Sequence, residues 1–170
     1  APTVLNKIKD ADKPVVFFNR EPATDTVKSY DKAMFVGTNA QEAGVLQGKI
    51  LVDQWKANPA LDKNGDGVMQ YVMLKGEPDN AEAVARTKFS VSTINDAGIK
   101  TEELANQVCN WQQDLAQTNM EAWLSRYGNG IEVVISNNDG MAQGAIAALQ
   151  AQGYNNGDAA KTIPVVGVDA

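Results

Sequence analysis

Residues 62–80 read DKNGDGVMQYVMLKGEPDN, and three signals stand side by side in that stretch. Asp, Asn and Gly crowd positions 62–67, an almost wholly apolar run fills 68–74, and a polar loop follows over 75–80. A short apolar run bounded by turn residues is a strand, and one with little polar alternation has both faces covered. Similar Val- and Ile-rich runs recur at 15–18, 33–36, 132–136 and 163–168, with amphipathic stretches between them. This alternation predicts an α/β fold, a parallel sheet flanked by helices on both faces. One helix is expected over 40–57, with Asn39 and Glu42 as a capping box and Ala43, Leu46, Ile50 and Trp55 on its buried stripe. A second spans 81–96 and stops at Gly98; a third, over 112–127, buries Met120, Trp123, Leu124 and Tyr127. The fourth spans 140–152, presents Met141, Ala145, Ala148 and Leu149 on one stripe, and ends at Gly153. Ligands of open α/β sheets gather at the carboxyl ends of the strands. The polar groups that follow the runs are therefore the first candidates: Asn19 with Arg20, residues 75–80, residues 137–139, and Asp169.

Composition narrows the chemistry. The 170 residues, 44% of them hydrophobic, suffice for one core, or for one lobe plus part of another. A net charge of -6 with no basic cluster excludes nucleic acid as a partner, because nothing displaces the counterions around phosphates. No apolar run approaches the roughly 20 residues of a membrane helix, so no membrane insertion is expected. The chain lacks histidine, which removes Ser/His/Asp triads, Cys/His dyads and His-based metal sites. Cys109 is the single cysteine; it cannot form an intrachain disulfide and reads as a small buried residue. No signal peptide opens the sequence, so an exported form is expected to have lost its leader already.

Asp62, Asn64, Asp66 and Gly67 fit the D-x-[DN]-x-[DN]-G start of an EF-hand loop, with oxygen ligands on alternate residues and glycine at the sharp turn. Val68 would add a backbone carbonyl and Gln70 a side-chain oxygen. The pattern then breaks, because position twelve, normally a bidentate glutamate, is Met73. A calcium ion placed there needs a carboxylate from elsewhere, and Glu132, opening a later strand, is the candidate. Lys63 lies between the ligands and is expected to point outward. The competing reading is an Asx-rich surface turn without metal.

The segments PVVFFNREP (14–22), YDKAMFVGT (30–38), KGEP (75–78), IEVVISNND (131–139) and PVVGVDA (164–170) together resemble the glucose/galactose-binding proteins of bacterial ABC transport. They occur in that family's order, and nearly the whole chain can be laid on its middle portion. The resemblance implies a two-lobed periplasmic, or lipid-anchored extracellular, receptor without catalytic activity. Residues 1–37 would be a remnant of the N-terminal lobe with the first hinge crossing, and 38–170 the C-terminal sugar-binding lobe with its calcium loop. The family's opening strand and everything beyond Ala170 have no counterpart, so the chain is expected to be a fragment. The implied partners are a glucose or galactose ligand, an ABC transporter permease and a chemotaxis receptor. A distant glutamate completes the family's calcium loop, which again points to Glu132.

By the same resemblance the sugar contacts fall on Asn19, Arg86, Trp111, Asn138 and Asp169. At two further positions the chain departs from the family, with Asn80 in place of a histidine and Glu82 in place of an aspartate that contacts the anomeric hydroxyl. Planar amide, carboxylate and guanidinium groups read a pyranose edge while an aromatic ring covers its C–H face. Each residue also has a plainer reading: Asn138 and Asp139 as helix caps, Asp79 with Glu82 as a capping box, Trp111 as core. Two alternative functions use the same residues. One is the ligand-sensing domain of a sugar-responsive repressor or sensor kinase; the other is a glycosidase with Glu77 and Glu82 as its paired carboxylates.

Overall fold

The apolar run that begins at Val68 becomes an inner strand of a four-stranded parallel sheet in a computed structural model that describes residues 2–169. In chain order the elements are α1 (Pro2–Asp10), β1 (Val15–Phe18), α2 (Thr24–Lys28), β2 (Ala33–Val36), α3 (Ala40–Ala57), β3 (Val68–Lys75) and α4 (Ala81–Asp96). Then follow β4 (Lys100–Val108), α5 (Gln113–Tyr127), β5 (Val133–Ser136), α6 (Asp139–Ala151) and β6 (Val165–Val166). The chain divides between Asn39 and Ala40 into two compact units.

In the first unit β1 and β2 pair in parallel, Val15 opposite Ala33 through Phe18 opposite Val36. Leu5 of α1, Pro22 and Tyr30 are buried there, and the Tyr30 hydroxyl donates to the Lys13 carbonyl at 3.0 Å. Val16, Phe18, Met34 and Val36 alternate outward on the two strands and are exposed.

The second unit holds the sheet in the order β4-β3-β5-β6, all parallel. The pleat sends alternate side chains to opposite faces, and both faces are covered. Met69, Tyr71 and Met73 of β3, with Val133 and Ile135 of β5, pack with Leu51 and Val52 of α3 and Ile94 of α4. Val72 and Leu74 of β3, with Val134 of β5, pack with Met120, Trp123 and Leu124 of α5 and Met141, Ala145, Ala148 and Leu149 of α6. Leu74 is fully buried, so truncation to alanine should cost about 2–5 kcal/mol. Asn80 caps α4, its side-chain oxygen accepting from the amides of Glu82 at 2.9 Å and Ala83 at 3.3 Å. Past the other end of α4, Gly98 takes φ 85°, the left-handed conformation in which helices commonly stop.

Several expectations need correction. Residues 100–108, unassigned by pattern, form the longest strand, β4. It is an edge strand paired only with β3, so its polar sequence KTEELANQV tolerates solvent. The strand expected over 163–168 pairs for only two residues, Val165–Val166, and the one expected from Glu132 begins at Val133. Leu46 and Ile50 are exposed; α3 buries Gly44, Gln47, Gly48, Leu51 and Val52 instead. Small residues there let α4 approach, since a Cβ on Gly44 would lie 3.1 Å from Cα of Arg86 and one on Gly48 would lie 2.6 Å from the Ser90 carbonyl oxygen. The cap of α4 is Asn80, not Asp79.

Candidate functional site

Arg86 lies in the first half of α4 and is 3% exposed, a burial that a guanidinium tolerates only when paired. Nη1 donates to the Asn137 carbonyl at 2.7 Å. Nη2 donates to the Glu82 carboxylate one turn earlier and lies 3.2 Å from Oδ1 of Asp169, just past β6. Nε has no partner among the described residues. The guanidinium carbon sits 5.9 Å from the ring centroid of Trp111, within cation–π range.

Trp111 follows the carboxyl end of β4 in a loop where Asn110 and Trp111 both take positive φ, 49° and 67°. Such a conformation costs a non-glycine residue on the order of 1–3 kcal/mol and persists where the surroundings impose it. The Trp111 ring lies over the backbone just past β3, so closely that a Cβ on Gly76 would meet it at 2.2 Å. Asp169 is also left-handed, at φ 99°. Asn138, directly after β5, caps α6 by accepting from the Met141 amide at 2.9 Å, and its Nδ2 reaches the Trp111 carbonyl at 3.5 Å. Capping and site membership are thus compatible for this residue. Asn19, at the end of β1 in the first unit, is exposed with φ 65°.

Arg86, Glu82, Trp111, Asn138 and Asp169 therefore gather at the carboxyl ends of the strands of one sheet, with Asn80 on the loop that enters α4. Asn80 spends its oxygen on the cap, which leaves only its amide nitrogen for a ligand. The sequence reading places Asn137 among the candidates at 137–139 but passes over Gln47; both are buried. Asn137, fully buried, accepts from the Gly76 amide at 3.0 Å and donates to Thr87 Oγ1 at 3.1 Å. Gln47, 2% exposed, donates to the carbonyls of Ser136 at 2.7 Å and Gly167 at 3.3 Å. Asn137 had a signal, its position straight after a buried strand; Gln47 had none beyond being a polar residue beside two glycines.

Cys109 is fully buried beside this loop, and burial pushes its thiol from 9.0 up to about 11. At pH 8 that reduces the thiolate fraction roughly a hundredfold. Iodoacetamide should therefore label the folded protein about a hundredfold more slowly than the unfolded chain; equal rates would contradict the burial.

A second cluster lies at the opposite, amino-terminal end of β3. Asp62 accepts from the amides of Gly65 at 2.8 Å, Asp66 at 3.1 Å and Gly67 at 2.9 Å, which folds the loop back on its first carboxylate. Hydrogen bonds, foremost that from the Val68 amide, hold the Asp66 carboxyl below its ordinary pKa. Glu132, 1% exposed, accepts from the amides of Lys63 at 2.6 Å and Gln70 at 3.0 Å. Burial raises its pKa, and the negative charges of Asp62 and Asp66 add to the rise against those two hydrogen bonds. Among the described residues no three His, Cys, Asp or Glu side chains are gathered so as to hold an ion by themselves, so amide and carbonyl oxygens must complete any such site. The donors present suit a hard cation. Gln70 is 5% exposed and its Oε1 is orphaned, while its Nε2 donates to Asp66 Oδ2 at 2.9 Å. An amide rotated to present that oxygen to a cation would lose its orphan. Contrary to expectation, Lys63 is not directed into solvent: its Nζ donates to the Ile131 carbonyl at 3.0 Å and lies 5.6 Å from the Tyr154 ring centroid.

The strand ends of this parallel sheet present a guanidinium, carboxylates, amides and a tryptophan face, groups able to hydrogen-bond and stack on a small polar solute. The whole chain, residues 1–170, matches the periplasmic binding protein domain, and the protein belongs to that family. It is similar to the D-galactose/methyl-galactoside binding periplasmic protein MglB of Haemophilus influenzae, 47% identical over 171 residues, 100% of this chain and 50% of that protein. It is also similar to the putative rhizopine-binding protein of Rhizobium meliloti, 35% identical over 173 residues, 100% of this chain and 50% of that protein. Among solved structures, a Mycobacterium smegmatis protein in complex with β-D-fucofuranose matches with a TM-score of 0.76 and 27% identity, over 98% of this chain and 50% of that one. The arabinose transporter component of Shewanella sp. ANA-3 shares the fold, with a TM-score of 0.79 at 24% identity over 99% of this chain and 51% of that one. The chain spans about half the length of the curated relatives it matches across its full extent. No helix among the described residues is long and apolar enough to cross a membrane.

Proposed function

We propose that this chain forms the sugar-binding half of a periplasmic receptor that delivers a glucose- or galactose-type monosaccharide to an ABC transporter permease. The observation that carries the reading is the Arg86 cluster, in which one buried guanidinium is held between Glu82 and Asp169 with the Trp111 ring alongside. Such a group offers charged donors and acceptors to ring hydroxyls and an apolar face to C–H bonds. The similar proteins named for galactose and methyl-galactoside, or bound to a furanose, handle solutes of that chemistry. Asn19 is a further sugar contact of this proposal, by resemblance alone. Docking to a chemotaxis receptor extends the reading by resemblance.

Calcium is the structural ion of this proposal, held by Asp62, Asn64, Asp66, the Val68 carbonyl, Gln70 and Glu132. When bound it supplies positive charge to a set of carboxylates that otherwise repel one another. Asp62 and Asp66 shape the loop, Gln70 contributes its buried oxygen, and Glu132 reaches in from the start of the neighbouring strand.

Calorimetry on the full-length protein that carries this segment tests the sugar reading. Galactose or glucose is expected to bind with a one-to-one stoichiometry. Heats indistinguishable from buffer for both would sink the proposal, and turnover of aryl glycosides would replace it with the glycosidase.

A further inference from the structure

The ladder between β5 and β6 ends at the pair Ile135 and Val166. One residue further along each strand, the carbonyls of Ser136 and Gly167 both accept from a single nitrogen, Nε2 of Gln47, at 2.7 and 3.3 Å. A side-chain amide thus joins the two strand ends where the β5–β6 ladder stops. From those carbonyls the chain runs within two residues to Asn138 on one side and to Asp169 on the other. The next link between them is the Asp139 amide donating to the Val168 carbonyl at 2.8 Å.

We propose that Gln47 is a positioning residue for ligand recognition, setting the spacing of the strand ends that carry Asn138 and Asp169. This rests on the sugar-binding reading of the site. Gln47 is 2% exposed and its Oε1 has no partner among the described residues, so the amide is retained at a cost that an apolar side chain would avoid. Its helix also fixes Arg86: the close seat of α3 on α4 brings a Cβ built on Gly44 within 3.1 Å of Cα of Arg86. One turn of α3, from Gly44 to Gly48, therefore references Arg86, Asn138 and Asp169 to a common frame. Recognition by several fixed polar groups tolerates displacements of only about 0.5 Å, so loss of that frame degrades binding without removing a contact.

The test uses Gln47→Met and Gln47→Glu in the full-length protein that carries this segment, with D-galactose and D-glucose as probes. Gln47→Met keeps the volume and removes the donor. It is expected to weaken sugar binding at least tenfold and to speed hydrogen exchange at the amides of Asn137 and Asp139 about tenfold, while the calcium-dependent shift in midpoint is retained. Gln47→Glu cannot donate when ionised but can when protonated, so its affinity should recover several-fold between pH 7.5 and pH 5 relative to the unmodified protein. This recovery keeps the proposal testable even if Gln47→Met folds poorly. Unchanged sugar affinity in Gln47→Met, unchanged exchange at those amides, or a flat pH response in Gln47→Glu each overturns it as a residue of recognition. Faster exchange in a protein whose unmodified form binds neither sugar would leave the frame standing and remove the sugar reading instead.

Discussion

Replacing Arg86 with methionine is expected to lower the unfolding midpoint by about 6–20 °C and to weaken sugar binding at least tenfold. The guanidinium is 3% exposed and compensates Glu82, whose side chain is 17% exposed, as well as the more open Asp169. Removing one partner of a buried ion pair costs roughly 3–5 kcal/mol, because the remaining charge stays desolvated. For a chain of this size each kcal/mol moves the midpoint about 2–4 °C, which gives the range stated. Hydrogen bonds to charged groups contribute about 1.5–3 kcal/mol each, and tenfold in affinity corresponds to about 1.4 kcal/mol. A double variant, Glu82→Gln with Arg86→Met, separates the two effects. It should regain part of the midpoint, since no buried carboxylate is left alone, and none of the affinity. A melting curve for Arg86→Met that overlays the original, with unaltered calorimetry, would show that the buried guanidinium serves neither purpose.

Chelation should produce the second large effect. With calcium at about 100 times its dissociation constant, binding adds roughly 2.7 kcal/mol to the folded state, so EGTA is expected to lower the midpoint by about 5–11 °C. Glu132→Gln should abolish most of that difference, because it removes the negative charge from the one ligand that arrives from another strand. Lys63→Ala should leave the difference nearly intact, since the lysine amine donates to the Ile131 carbonyl rather than to a carboxylate of the loop. Identical melting curves with and without EGTA would remove the ion from the description. Equal losses in the two variants would remove Glu132 from its ligands.

What the sequence disclosed, and what it withheld, follows from how residues advertise burial. The strands β3 and β5 were legible because both of their faces are covered, so nearly every side chain is apolar. β4 was not: at the sheet edge, paired only with β3, it carries lysine and glutamates that pattern reading assigns to a loop. The buried face of α3 was misplaced for the opposite reason. Its close seat on α4 favours Gly44 and Gly48, and hydrophobicity cannot mark a face selected for smallness. Asn138 and Asp169 were reached from their place after the apolar runs as well as through motif resemblance, Arg86 and Trp111 through resemblance alone, and the fold brings all four to the carboxyl ends of one sheet. Gln47 stayed hidden because a polar side chain in the interior is recognised by its partners, and the Ser136 carbonyl it binds lies 89 residues away.

The Glu132 carboxylate joins a loop and a strand opening that are 69 residues apart in the chain, through its bond to the Lys63 amide. Contacts of that sequence separation form only after the intervening loops have closed, so they belong to the later part of folding. Interactions absent from the transition state change the unfolding rate and leave the folding rate nearly untouched. An ion held at that junction would therefore act as a brake on opening: its loss should shorten the lifetime of the folded molecule while newly made chains still reach it as quickly as before.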